Sequence, residues 1–131
     1  MLFDKLTKLI DKYNYECKNG VYILTDNKSN DTISKLLGKC KSCEIVSDVD
    51  DFDKACIILF MYDNPKLYNE KTIKFINEYI NLKKTILLVV SLDFDFNYVV
   101  ANTNANSIDA ISWKDKSGNK YEKYIVVVNK F

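Results

Sequence analysis

The sequence contains no histidine at all. That excludes Ser-His and Cys-His nucleophile pairs, imidazole metal sites and imidazole proton shuttles. Glycine is almost as scarce, with three residues in 131 and none between Thr25 and Thr32. An excess of charge of one sign is also missing: 19 Lys and Arg face 18 Asp and Glu, for a net charge of +1. No Lys-rich face alternates with aromatics, so nucleic acid is not an expected partner. No apolar run approaches the roughly 20 residues that span a bilayer. The N-terminal MLFDKLTKLIDKY carries charge throughout, unlike a signal peptide or a membrane span. A cytoplasmic protein without membrane partners is expected. The lack of any acid/base pair, nucleophile or complete metal constellation also argues against independent catalysis.

What is present is ordinary globular composition, 47% apolar and 28% charged, at a length that suits a single domain over residues 1–131. Leu2, Leu6, Leu9 and Tyr13 mark one side of an amphipathic helix over residues 2–16. Val21 to Leu24 reads as a short strand. A helix follows, capped at Asn30 or Asp31, carrying Ile33, Leu36 and Leu37, and stopped by Gly38. Cys43 to Val46 is a second short strand, and the acidic link SDVDDFD leads into ACIILFMY. That run is apolar on both faces, as is TILLVVSL further on, so Ile57 to Phe60 and Ile86 to Val90 should be central strands of a covered parallel sheet. Between them EKTIKFINEYINL has a helical stripe of Ile73, Ile76 and Ile80. Residues 93–107 read as a long loop with a short helix around Ala105 to Ile111, and Tyr124 to Val128 as a fifth strand. Alternating strands and helices imply a three-layer, doubly wound parallel five-stranded sheet. In such sheets the ligand crevice lies beyond the carboxyl ends of the strands, here in loops 25–31, 62–69 and 91–104.

Four cysteines, Cys17, Cys40, Cys43 and Cys56, complete the chemistry-bearing inventory. CKSC has the spacing of a redox or zinc half-site, but there is no second CxxC and Cys56 sits in an apolar strand. Reduced thiols at a helix end are the simpler expectation, and no metal site is expected.

Four pieces stand in the order of a flavodoxin-like domain: VYILTDNKSNDTISKLL, VSDVDDFDKACIILF, MYDNPKLYNEKTIKFINEY and KKTILLVVSLDF. The chain resembles that family over about residues 21 to 98 and the last strand, roughly three quarters of its length. It departs from it by an extra N-terminal helix and no C-terminal helix. The resemblance implies an FMN-binding flavoprotein working in electron transfer with a redox partner protein. In the family a Ser/Thr-x-Thr-Gly-Asn-Thr loop holds the FMN phosphate through backbone N–H and hydroxyl groups. Aligned on its closing threonine, the loop here reads NKSNDT. Ser29 and Thr32 keep hydroxyl positions, Asn30 replaces glycine and Asp31 replaces asparagine. Tyr62, Tyr68, Phe94 and Tyr98 (with Phe96 nearby) stand in the loops that supply flavin-stacking aromatics. Cofactor-binding residues implied by the resemblance are therefore Ser29, Asn30, Thr32, Tyr62, Tyr68, Phe94 and Tyr98.

Two alternatives share the fold. One is a flavodoxin-like domain without its cofactor that serves as a protein-binding module, with the loop acting as a helix cap. The other is a receiver-like phosphoacceptor domain, whose acidic, Ser/Thr and Lys positions would fall on Asp26, Asp63, Ser91 and Lys130. The short link between strands two and three leaves no room for the helix that a receiver needs there.

Overall fold

Two runs that are apolar on both faces, ACIILFM and TILLVVS, form adjacent parallel strands at the centre of a sheet in a computed structural model of the protein. The structure describes residues 2–14, 20–40, 42–46, 55–80, 84–91, 96–105, 107–111 and 123–129. In chain order the elements are α1 (Leu2–Asn14), β1 (Gly20–Thr25), α2 (Asp31–Lys39), β2 (Cys43–Ile45), β3 (Ala55–Met61), a 3-10 turn (Pro65–Leu67), α3 (Glu70–Ile80), β4 (Thr85–Ser91), α4 (Phe96–Asn102), β5 (Ser107–Ile111) and β6 (Lys123–Asn129).

The strands form one sheet in the order β2-β1-β3-β4-β6-β5. The first four are mutually parallel, and β6 is antiparallel to both β4 and β5. The fold is therefore α/β with a mixed sheet of six strands among the described residues. This corrects the expectation of five parallel strands. The physical source is β5, which the sequence hides. It places Ser, Asp and Ala among its five residues, types with little strand preference, on an edge that needs pairing on one side only. The expectation of a short helix around Ala105 to Ile111 is likewise overturned. The helix lies earlier, at Phe96–Asn102, and Ser107–Ile111 is the edge strand. β6 then fills the slot between β4 and β5, pairing Leu88 with Val126 and Ala110 with Val126.

Strand side chains alternate between two cores, as the period of two requires. Val21, Ile23, Ile57, Leu59, Met61, Leu87, Val89, Ile125 and Val127 face α1 and α2. Ile58, Phe60, Ile86, Leu88, Val90, Val126 and Val128 face α3 and α4. Helix α1 does cover one face, burying Leu6, Leu9 and Ile10, with Leu2 and Tyr13 partly buried beside them. Gly38 does not stop α2. It lies within the helix, which runs on to Lys39 before Cys40 turns extended at φ −102°. Residues 15 and 16 of the expected first helix, and the acidic link after β2, lie outside the described residues.

Candidate functional site

At the carboxyl ends of β1 and β3 the direction of chain progression reverses, because β1 is followed outward by β2 and inward by β3. A crevice between the two loops is the expected ligand position in such a sheet. Here it is bridged by side chains. Asp26, the first residue after β1, accepts the backbone N–H of Asp63 on one carboxylate oxygen at 2.7 Å and that of Asn64 on the other at 3.0 Å. Asn27 donates its amide to the Asp63 carboxylate at 2.9 Å.

The loop that resembles a phosphate cradle has turned its donors inward. Asn27 Oδ1 accepts both the backbone N–H and the hydroxyl of Ser29, at 3.2 and 2.8 Å. The N–H of Asn30 donates to the carbonyl of Asn27 at 3.2 Å. Asn30 is the N-cap of α2, its side-chain oxygen accepting the N–H groups of Thr32 and Ile33 at 2.9 and 3.3 Å. The backbone donors of residues 29, 30, 32 and 33 therefore all have partners inside the loop. Ser29, Asn30 and Thr32 lie together at the start of α2, with Asn30 as its N-cap. Asparagine also shapes the second loop. Asn64 Oδ1 accepts Lys66 N–H at 3.1 Å, and Asn69 caps α3 through Lys71 and Thr72 N–H at 3.0 and 3.4 Å. Short side-chain carbonyls that bond the backbone two or three residues on are what allow both loops to turn without glycine.

The aromatic residues divide into two places. Tyr62 and Tyr68 meet at the end of β3, with ring centroids 5.3 Å apart, and Tyr62 is also 5.9 Å from Phe60. Tyr62 is half-buried, and burial first, then the negative charge of Asp26, raises its hydroxyl pKa above the usual tyrosine value. Tyr68 is not a loop surface residue. It is 9% exposed, and its hydroxyl accepts the N–H of Tyr62 at 3.1 Å while donating toward the carbonyls of Val89 at 2.6 Å and Phe60 at 3.2 Å. It ties the ends of β3 and β4 together, and burial pushes its pKa up strongly. Tyr98 stands apart on α4, with Glu70, Ile73, Lys74, Asn77, Glu78 and Asn102 around an open groove of about 500 Å³ between α3 and α4. Asn77 holds the two helices in register, donating to the Asn102 carbonyl at 3.0 Å and accepting Asn104 N–H at 2.8 Å. Phe94 lies outside the described residues.

Of the receiver-like positions, Asp26 and Asp63 are brought together, Ser91 ends β4, and Lys130 lies outside the described residues. Both carboxylate oxygens of Asp26 already accept a backbone N–H from the second loop. Among the described residues no group of three or more His, Cys, Asp or Glu side chains is placed to hold a metal ion. Among them also, no helix is long and apolar enough to cross a membrane. Sequence reasoning missed Asn27 and the bridging role of Asp26. The signal available was the density of Asn and Asp in the loop, which favours side-chain closure of a turn. The chain matches no protein-family model and no curated protein sequence.

Proposed function

We propose that this chain is a flavodoxin-like module that acts by binding another protein, with no FMN in its loop. The order β2-β1-β3-β4 of its parallel strands supports the flavodoxin-like part of the reading, since that family's order begins in the same way. One observation carries the rest: the backbone N–H groups of residues 29, 30, 32 and 33 in the would-be phosphate loop are taken by Asn27 and Asn30. A phosphate dianion would have to displace those bonds while approaching the carboxylates of Asp26 and Asp31. The face offered to a partner is the groove beside Tyr98, where an aromatic ring and Ile73 lie among Glu70, Lys74 and Glu78.

FMN-dependent electron transfer to a redox partner protein is the second reading. It is favoured by half-buried Tyr62, whose ring stands beside the loop where a flavin could stack. The test is titration of the purified protein with FMN, followed by flavin fluorescence and calorimetry. The module reading expects no quenching and no heat at millimolar FMN. A yellow protein, or saturable quenching, overturns it. Thr32→Ala should then weaken FMN by the value of a hydrogen bond to a charged group, about 1.5–3 kcal/mol, and leave riboflavin unaffected.

A further inference from the structure

The turn that joins α2 to β2 carries Cys40 and Cys43, and both are free thiols, each partly exposed. Cys40 is the C-cap of α2, and its N–H donates to the Leu36 carbonyl at 2.8 Å. Cys43 opens β2, where it pairs with Val21, and its side chain packs against the core under α1 and α2. The N–H of Cys43 donates to the carbonyl of Cys40 at 3.2 Å. A bond between positions three apart holds the two Cα atoms within about 7 Å. A disulfide needs a Cα separation of about 4.4–6.8 Å, so the backbone is already close to the required span. Ser42 places its hydroxyl 3.4 Å from the Cys40 sulfur.

We propose that Cys40 and Cys43 form a redox-active dithiol that closes to an intramolecular disulfide by exchange with a low-molecular-weight disulfide. The two thiols have different parts. Burial, and then hydrogen bonding to Cys40, raise the Cys43 pKa far above the usual thiol range, so Cys43 is held protonated. Cys40, at the helix end and not packed in the core, is the attacking sulfur. Its thiolate attacks one sulfur of the small disulfide RSSR, forming Cys40–S–S–R and releasing RS⁻. Cys43 then gives up its proton to the released thiolate and attacks the Cys40 sulfur. The Cys43–Cys40 bond forms and a second thiolate leaves, taking its proton from solvent. In sum, two protein thiols are oxidised and RSSR is reduced to two RSH. With Cys43 held protonated by burial, the reduced state gains no thiolate stabilisation at that sulfur, so the disulfide, once formed, should resist monothiol reductants and yield to dithiols.

The test uses the full chain incubated with oxidised glutathione, followed by alkylation, trypsin and mass spectrometry. Cleavage after Lys41 places the two cysteines on different peptides, so a linked pair reports the bond directly. The expected result is a Cys40–Cys43 linked pair in wild type and a stable glutathione adduct at Cys40 in Cys43→Ser. Cys40→Ser should give neither product at this turn. Far-ultraviolet circular dichroism on each sample keeps the comparison among folded proteins. A folded wild type that keeps both thiols alkylatable, or that stops at the glutathione adduct, overturns the proposal. So does an adduct that forms at Cys43 in Cys40→Ser as fast as at Cys40 in Cys43→Ser.

Discussion

Replacing Tyr68 with Phe keeps the ring and removes one oxygen, which isolates what that oxygen holds. The hydroxyl accepts Tyr62 N–H and donates to the Val89 carbonyl, spanning the ends of the paired strands β3 and β4. Phenylalanine leaves a largely buried N–H and a carbonyl lone pair without that partner, at about 1–3 kcal/mol for the orphaned donor and less for the carbonyl, which has a second lone pair. A loss of about 2–3 kcal/mol is therefore expected at neutral pH. For a chain of 131 residues this corresponds to a fall in Tm of roughly 6–12 °C. The same residue predicts a pH dependence. The folded protein raises the Tyr68 pKa above the unfolded value of about 10, so its contribution is fully present below that pH. Above it the unfolded chain sheds the proton while the folded one keeps it, and stability falls as pH rises, by at most about 1.4 kcal/mol per pH unit. Urea unfolding of wild type and Tyr68→Phe at pH 8 and pH 11 measures both effects. The gap between the two proteins should be largest at pH 8 and narrow by about 1 kcal/mol or more at pH 11. Equal stability at pH 8 would refute the strut. A gap unchanged between the two pH values would refute its burial.

Leu6 is fully buried beneath α1, and Leu6→Ala should cost about 2–5 kcal/mol in urea unfolding; a cost well below 1 kcal/mol would mean that α1 does not pack as described. Asn30→Ala removes the cap of α2 and should cost about 1 kcal/mol, read as a lower Tm, whereas an unchanged Tm would mean that Thr32 and Ile33 N–H are satisfied without it. Gly38 is helical with open space where a Cβ would stand, so Gly38→Ala should raise stability by about 0.5–1 kcal/mol; a loss would indicate that the α2 terminus needs glycine. Asp26→Ala should speed hydrogen exchange at the amides of Asp63 and Asn64, and unchanged exchange at both would contradict the bridge between the two loops.

The central strands were legible because Ile57 to Phe60 and Ile86 to Val90 are apolar at consecutive positions in runs of strand length, the pattern of a sheet covered on both faces. The stripes of Leu6 and Leu9, and of Ile73, Ile76 and Ile80, likewise announce helices that bury one side. Orientation of the C-terminal strand was not legible. YIVVV is equally apolar whichever way it runs, and its direction depends on β5, a strand written in Ser, Asp and Ala. Tyr68 shows a different limit. In PKLY it reads as a loop aromatic, and only partners 8 and 21 residues away turn it into a buried strut. The Asp26 bridge, spanning 37 residues, is of the same long-range kind. Asn30, by contrast, was legible as a cap because its partners lie two and three residues ahead.

The place of β6 in the sheet has a consequence for how the protein is made. On a ribosome, β1 to β4 emerge in order and can pair as they appear, but the neighbour of β4 on its far side is the strand synthesised after all the others described. Until residues 123–129 clear the exit tunnel, the apolar row Ile86 to Val90 has an open hydrogen-bonding edge, and β5 has nothing to pair with. A nascent chain stalled before that point exposes the kind of unpaired apolar strand that recruits other chains. Synthesis of residues 123–129 therefore acts as the closing stitch of the sheet, and chains interrupted before it are expected to be the more prone to aggregate.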